Sequence, residues 1–132
     1  MDRIIRRQLL TADGNPGARL DYVVALEGAI SGKAEIGPGT VGLRYVPDKL
    51  VLQAAAFGRY LEALAAETWP SIEDLAVTIL DDMNNEVVPR WVQVTVSMPD
   101  THQPGVESHG VILEDRRPKW DNPALLSRLR RY

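Results

Sequence analysis

The side chains with the chemistry of metal ligands or acid–base catalysts gather in one stretch of the sequence. His102 and His109 are the two histidines of the chain, and Asp100 and Glu107 lie close to them. Imidazole and carboxylate groups bind zinc and related metals. One histidine lies in a turn-rich loop, however, and His109 shares a predicted strand face with Glu107, as cross-strand or solvent-facing residues do. We therefore predict no metal site.

Nucleophilic chemistry has little support in the sequence. The chain contains no cysteine, which excludes a thiolate nucleophile, a thiolate metal site and a disulfide. Ser108, His109 and Asp100 have the residue types of a catalytic triad, but no nucleophile-elbow motif surrounds the serine. The glycines of residues 37–39 precede a predicted strand and not a helix, so they indicate a hairpin turn and not a phosphate-binding loop.

The elements that position these residues follow from hydrophobic periodicity. Alternation of apolar and polar residues predicts strands, and these cover residues 20–30, 40–46, 90–98 and 106–114. Helical spacing and high alanine content predict a helix over residues 50–67. A second helix begins after Ser71, which has the form of an N-cap with Asp74 three residues later. Asn122 and Pro123 predict the start of a short terminal helix over residues 124–131.

The predicted order is ββααββ with a terminal helix. Strand pairs joined by short loops favour antiparallel hairpins, so we predict an α+β fold in which a four-stranded antiparallel sheet carries two helices on one face. The opposite sheet face is then bare, and Trp91, Gln93 and Thr95 line it. A face of such mixed polarity favours contact with another copy of the chain.

The chain of 132 residues suits a single domain with charged ends. The core, residues 20–115, has 5 Lys/Arg and 15 Asp/Glu, whereas the N-terminal arm (1–19) and C-terminal arm (116–132) together have 10 and 3. Basic arms can bind nucleic acid. The C-terminal arm also has apolar side chains, which favour contact with the acidic core of a neighbouring copy: Trp120, Leu125, Leu126, Leu129 and Tyr132. We predict self-association and no nucleic-acid partner.

Two further features bear on the compartment. No apolar run approaches the roughly 20 residues that span a bilayer, and residues 1–7 lack the apolar stretch of a secretory signal. The sequence therefore predicts a cytoplasmic protein that does not contact a membrane.

Three short motifs resemble the nitrile reductases of queuosine biosynthesis, the 7-cyano-7-deazaguanine reductases often called QueF. A strand end of that family is similar to residues 43–49, LRYVPDK. Its helix opening with a His-Glu-Asp triplet is similar to residues 72–76, IEDLA, and its next strand to residues 89–94, PRWVQV. The order and spacing of the motifs agree with the predicted ββααββ arrangement.

This resemblance implies the tunnelling fold, or T-fold, whose sheets join edge to edge into barrels. Such proteins bind purine- or pterin-like rings between subunits, and a glutamate holds the N–H and amino edge of the ring. The matching residue here is Glu73. A carboxylate can accept two parallel hydrogen bonds from such an edge. Glu73 can also serve only as a first-turn acidic residue that stabilises its helix, so both interpretations stay open.

The resemblance also implies that the covalent reaction is lost. Counting back from Pro47 without gaps, the family's nucleophilic cysteine falls at Ile30 and its proton-transferring aspartate at Gly37. Ser31 is adjacent to the first position, but a serine needs an activating base. Glu35 is the only candidate base nearby. We therefore expect no thioimide chemistry.

The family's cofactor motif falls on residues 53–60, QAAAFGRY, where it has lost its charges. Gln53 replaces a glutamate, Ala55 and Gly58 replace two lysines, and Arg59 lies one position along. The 2′-phosphate of NADPH needs cationic partners, so we expect no NADPH binding and no other cofactor.

These observations predict a T-fold homo-oligomer without nitrile reductase activity that binds a purine- or pterin-like ring at Glu73. Two alternatives remain. One is an active enzyme on a deazapurine or pterin, with acid–base chemistry through Glu73 and either His102 or His109. The other is a purely structural assembly protein.

Overall fold

The computed structural model describes residues 2–32 and 36–129. The helices are Arg3–Gln8 (α1), Ala54–Ala65 (α2), Ile72–Glu86 (α3) and Pro123–Leu126 (α4). The strands are Ala12–Gly14 (β1), Val24–Ile30 (β2), Gly39–Val46 (β3), Leu50–Leu52 (β4), Trp91–Met98 (β5) and His109–Arg116 (β6).

The predicted α+β arrangement is confirmed. Strands β2, β3, β5 and β6 form one antiparallel sheet in the spatial order β2-β3-β5-β6. Helices α2 and α3 connect the two central strands, α2 contacts β2, and α3 contacts β5 and β6. Strands β2 and β6 each pair with one neighbour and therefore form the edges of the sheet.

The core lies between the helices and one face of the sheet. Val41, Leu43 and Tyr45 alternate along β3 and are fully buried, as the period-two pattern predicted. The apolar stripes of α2 and α3 cover them, and both stripes consist of buried residues: Phe57, Leu61, Leu64, Leu75, Ile79 and Met83. A side chain at Gly28 of β2 would clash with Leu61, so this glycine lets α2 pack closely on the sheet.

The N-terminal arm is ordered, which the sequence did not predict. Strand β1 pairs antiparallel with β4, so residues 50–52 form a strand and not the first turn of a helix as predicted. Helical propensity is overridden here because β4 satisfies its backbone hydrogen bonds with β1. Gln53 follows as the N-cap of α2 and bonds to both Thr11 and Asp13 of the arm.

A buried cluster attaches α1 to the two large helices. Asp82 of α3 is 0% exposed. Its Oδ2 accepts from Arg6 Nε at 2.7 Å and from the Tyr60 hydroxyl at 2.5 Å, while Oδ1 accepts from Arg7 Nε at 2.7 Å. Burial raises the pKa of Asp82, but the bonds from Arg6, Tyr60 and Arg7 outweigh burial and hold this pKa below its ordinary value of 3.8.

The C-terminal arm lies on its own core, whereas the sequence favoured a neighbouring copy. Arg117 NH1 donates to Asp48 Oδ2 at 2.6 Å, and this bond, above all, lowers the pKa of Asp48. Asn122 Nδ2 donates to Asp21 Oδ2 at 2.9 Å. Arg6, Arg7 and Arg117 of the arms therefore pair with acidic residues of the core of the same chain.

Three element boundaries differ from the prediction. Strand β2 begins at Val24 and not at residue 20, because Arg90 binds the carbonyls of Ala18 and Leu20. Strand β6 begins at His109 and not at residue 106. Helix α4 begins as predicted after the Asn122 cap but ends at Leu126, and residues 130–131 of the predicted helix lie outside the described residues.

The sheet face away from the helices is only partly open. Trp91 was expected on a bare face but is 2% exposed, and its indole N–H donates to Glu114 Oε2 at 2.6 Å. Gln93 accepts a bond from Arg44 Nε at 2.8 Å and is half-buried, as is Thr95. Cross-strand contacts within the chain therefore satisfy many of the polar groups on this face.

In the described ranges, no helix combines the length and the apolar character that a membrane span requires.

Candidate functional site

The candidate site lies at one end of the sheet, where four strands contribute one residue each to a row. The register pairs Ile30 with Gly39 and Met98 with His109, and the β3–β5 pairing that runs to Thr40 and Ser97 leaves Gly39 next to Met98. Directly paired residues of antiparallel strands have their side chains on the same face. His109 therefore shares the helix-facing side of the sheet with Ile30 and Met98, which are both 2% exposed.

Glu73 meets His109 across the gap between α3 and β6. His109 Nε2 lies 3.1 Å from Glu73 Oε2, and the side chains are 44% and 57% exposed. Because an ionised carboxylate can only accept hydrogen bonds, this contact is a hydrogen bond when Nε2 carries the proton. Glu73 is held here because it occupies the first turn of α3, directly after a fixed helix start.

That helix start follows the predicted pattern. The Ser71 hydroxyl accepts from the Asp74 N–H at 3.1 Å and donates to Asp74 Oδ2 at 2.7 Å. Such a reciprocal cap fixes the first turn of a helix. The backbone of Glu73 is thereby fixed at the helix N-terminus, where negative charge is favoured.

A cavity of about 260 Å³ opens beside the pair, and its walls come from α3, β5, β6 and the loop between these strands: Pro70, Ser71, Ile72, Met98, Thr101, Gln103 and His109. Glu73 does not line the cavity itself, but it directly follows Ile72 and bonds to His109, which both do. Ile72 and Met98 are buried and give the cavity an apolar floor. An apolar floor with a few polar groups at the rim is typical of sites for small ligands.

The loop that forms the outer wall is held by its own hydrogen bonds. Thr101 Oγ1 donates to the Val106 carbonyl at 2.6 Å and accepts from the Gln103 N–H at 3.1 Å. Gly105, with φ of 82°, makes the turn between them, a conformation that glycine adopts without strain. Thr101 and Gln103 are therefore held at the cavity wall.

His102 lies apart from this cavity. Its backbone has φ of 57°, its N–H donates to Asp100 Oδ1 at 3.1 Å, and a Cβ atom at Gly37 would lie 3.7 Å from its Nε2. Its Nδ1 is 3.6 Å from the same Asp100 oxygen. The structure thus separates the two histidines into a His102–Asp100 pair and a His109–Glu73 pair.

The other residues of the predicted cluster do not join either pair. Glu107 is exposed and precedes β6, so the predicted strand face shared by His109 and Glu107 is wrong. Ser108 is also exposed and outside the strand. Among the described residues, no three His, Asp or Glu side chains gather as metal ligands would.

The positions that match the family's nucleophile and proton donor carry no such chemistry. Ile30 is buried in the core, Gly37 has no side chain, and Ser31 is exposed beside Ile30. Glu35, the base suggested for Ser31, lies outside the described residues. On α2, Ala55, Gly58 and Arg59 are all exposed, so the matching surface presents one cation.

The sequence named both His102 and His109 as candidates to act with Glu73, but spacing alone could not choose between them. Glu73 and His109 are 36 positions apart, and their contact depends on the register of β5 with β6. The sequence signal for Glu73 itself was its place in the IEDLA motif after Ser71.

The comparisons with known proteins concern the fold. No protein-family model matches the chain, and no curated protein matches it. Among solved structures, an archaeosine synthase QueF-Like in its apo form matches with a TM-score of 0.51 and 24% sequence identity, over 71% of this chain and 91% of that one. The predicted T-fold is therefore confirmed: this chain has the fold of a QueF-Like protein and contains no cysteine.

Proposed function

We propose that this protein is a T-fold homo-oligomer that binds a purine- or pterin-like ring and does not reduce nitriles. The observation that carries the proposal is the exposed Glu73 carboxylate, which bonds to His109, one of the residues that line a cavity of about 260 Å³. A ring with adjacent N–H and amino groups is the natural partner of such a carboxylate, because two parallel charge-assisted bonds are strong and directional.

The cavity supports a flat ligand of modest size. The apolar side chains of Ile72 and Met98 suit the face of an aromatic ring, while Thr101 and Gln103 add polar groups to the cavity wall. The likeness in fold to an archaeosine synthase favours a deazapurine among the candidate rings.

Self-association is the second part of the proposal. The edge strands β2 and β6 each have one partner in the sheet, and an open sheet edge favours pairing with another chain. A neighbouring subunit paired with β6 would lie beside the cavity, because His109 of that strand lines it. We place this assembly in the cytoplasm and expect it to work without NADPH, since Arg59 is the one cation at the matching surface of α2.

Binding experiments test the ring. Isothermal titration with 7-cyano-7-deazaguanine, guanine and pterin should give a measurable affinity for at least one of them. Glu73→Gln should weaken it by about 10–100-fold, since a hydrogen bond to a charged group is worth roughly 1.5–3 kcal/mol. Glu62→Gln makes the same chemical change on exposed α2, and its affinity should equal that of the wild type.

Three results would each overturn one part of the proposal. Absence of binding to every ring in the wild-type protein removes the ring-binding function and leaves a structural assembly protein. A single-chain mass by light scattering removes the homo-oligomer. Turnover of NADPH with 7-cyano-7-deazaguanine would contradict the claim that nitrile reduction is lost.

An acid–base enzyme on the same ring is the second candidate. The Glu73–His109 contact favours it over a version that uses His102, since a carboxylate and an imidazole in contact can exchange a proton with a bound ligand. Consumption of a deazapurine or pterin by the wild type, abolished in Glu73→Gln, would favour this candidate over ring binding alone.

A further inference from the structure

Strand β6 is joined to helix α3 by hydrogen bonds near both of its ends. At one end His109 Nε2 meets Glu73 Oε2 at 3.1 Å. At the other end Asn84 Nδ2 donates to Asp115 Oδ2 at 2.9 Å. The two contacts join the same pair of elements, but the cavity lies at the first and not at the second.

The direction of the His109 ring is set by the sheet. His109 pairs with Met98, whose side chain is buried against the helix layer, and paired residues share a face. The imidazole therefore reaches α3 from the sheet side. It does so at the first helical turn, where the Ser71 cap already fixes the backbone of Glu73.

Glu73 needs such a partner if its carboxylate is to have one orientation. A glutamate side chain has several rotatable bonds, and this one is 57% exposed, so the helix backbone alone does not select its rotamer. A ligand that binds a disordered carboxylate loses affinity because the side chain must be ordered on binding.

We propose that His109 is the positioning residue of Glu73. It donates Nε2–H to Oε2 and turns the carboxylate plane toward the cavity. A carboxylate has about four lone-pair sites, so Oε1 and the second lone pair of Oε2 stay available for the N–H and amino edge of a ligand. The ligand part of this inference rests on the proposed function, whereas the orientation of Glu73 does not.

Imidazole nitrogen spectra test the orientation without any ligand. Long-range ¹H–¹⁵N correlations at pH 8 should give the Nε2–H tautomer for His109 in the wild type. Glu73→Ala should shift this signal toward a mixture of tautomers, and Asn84→Ala should leave it unchanged. A mixture in the wild type, or a signal that Glu73→Ala does not alter, would overturn the inference.

A double-mutant cycle tests the consequence for binding. His109→Ala should weaken the ring ligand about tenfold in the wild-type background and should have no further effect in Glu73→Ala. His109→Gln, whose amide can donate in place of Nε2–H, should recover most of the affinity. Asn84→Ala, which breaks the other β6–α3 contact, should bind as the wild type does.

The outcomes of the two experiments separate the two proposals. An equal loss from His109→Ala in both backgrounds means that His109 touches the ligand itself, which overturns its positioning role. If the wild type binds no ring but the Nε2–H tautomer depends on Glu73, the proposed function fails and the positioning contact stands.

Discussion

Two of the five carboxylates of helix α3, Glu73 and Asp82, have opposite surroundings. Asp82 is fully buried and accepts hydrogen bonds from Arg6, Arg7 and Tyr60. Glu73 is 57% exposed and bonds to His109 beside a cavity. The first carboxylate has its accepting capacity used within the chain, whereas the second keeps accepting capacity at a surface.

The difference separates a carboxylate that stabilises the fold from one that a ligand can approach. A buried charge is tolerated only when it is paired and hydrogen-bonded, so Asp82 and its donors act as one structural unit. An exposed ion pair contributes little to stability. Glu73 can therefore be changed without loss of the fold, and a ligand can approach it.

The largest expected effect is that of Asp82→Asn. The substitution keeps the size of the side chain but leaves the Arg6 guanidinium without its countercharge in a buried position. Removal of one partner from a buried ion pair costs about 3–5 kcal/mol, so we expect a loss of that order in the free energy of unfolding, measured in urea. Asp81→Asn is the matched control, since residue 81 is exposed. A loss below about 1 kcal/mol, the range of exposed ion pairs, would contradict the structural role of Asp82.

Substitution of Tyr60 should have a smaller effect with a second signature. Tyr60→Phe removes one donor of Asp82 but leaves both arginines, and we expect a loss of about 1.5–3 kcal/mol. Burial, together with the adjacent Asp82 charge, raises the pKa of Tyr60 above its ordinary value of 10. Tyr60 therefore stabilises the fold fully below pH 10 and loses this contribution as pH rises above 10. Above pH 10, the free energy of unfolding of Tyr60→Phe should therefore fall less steeply with pH than that of the wild type.

Acid should lower the free energy of unfolding through the Asp82 cluster. The pKa of Asp82 is lowered in the folded state, so its contribution to stability is present above the unfolded value of 3.8 and is lost as pH falls through the lower folded value. We expect wild-type stability to fall below about pH 4 and the slope to be shallower in Asp82→Asn. Urea unfolding between pH 2 and 5 measures both. Equal slopes would mean that Asp82 does not drive acid unfolding. Asp48, whose pKa Arg117 lowers, contributes to the remaining slope.

The Ser71 cap should affect both the stability of the fold and ring binding, because it fixes the helix turn that holds Glu73. Ser71→Ala removes the bond from the Asp74 N–H and should cost about 1 kcal/mol of stability. It should also weaken ring binding, since the first turn frays. Ser71→Asp, which can accept the same bond, should restore both stability and binding; restoration of stability alone would mean that the hydroxyl itself contacts the ligand.

The sequence predicted the start of α3 and the strands of the sheet. It did not identify the donors of Asp82, and it did not decide which histidine contacts Glu73. Alternation along residues 40–46 and 90–98 is a local pattern, and it predicted both central strands. The Asp82 cluster left a partial signal: an aspartate adjoins Met83 in the apolar stripe of α3, and a buried acid requires basic partners. Which arginines supply them depends on α1, whose six residues have no apolar periodicity of their own. The strand β4 was missed because its pairing with β1 is a long-range contact.

The smallest expected effect on stability is that of Glu73→Gln, and it is the sharpest test of the contrast. Both Glu73 and His109 are substantially exposed, glutamine can still accept from Nε2–H, and the lost charge at the helix N-terminus matters little at 0.15 M salt. We therefore expect a change of about 0.5 kcal/mol or less in the free energy of unfolding, while ring affinity falls at least tenfold. If Glu73→Gln instead costs about as much stability as Asp82→Asn, Glu73 is a structural residue like Asp82. That result would contradict the proposal that the cavity beside it is the binding site.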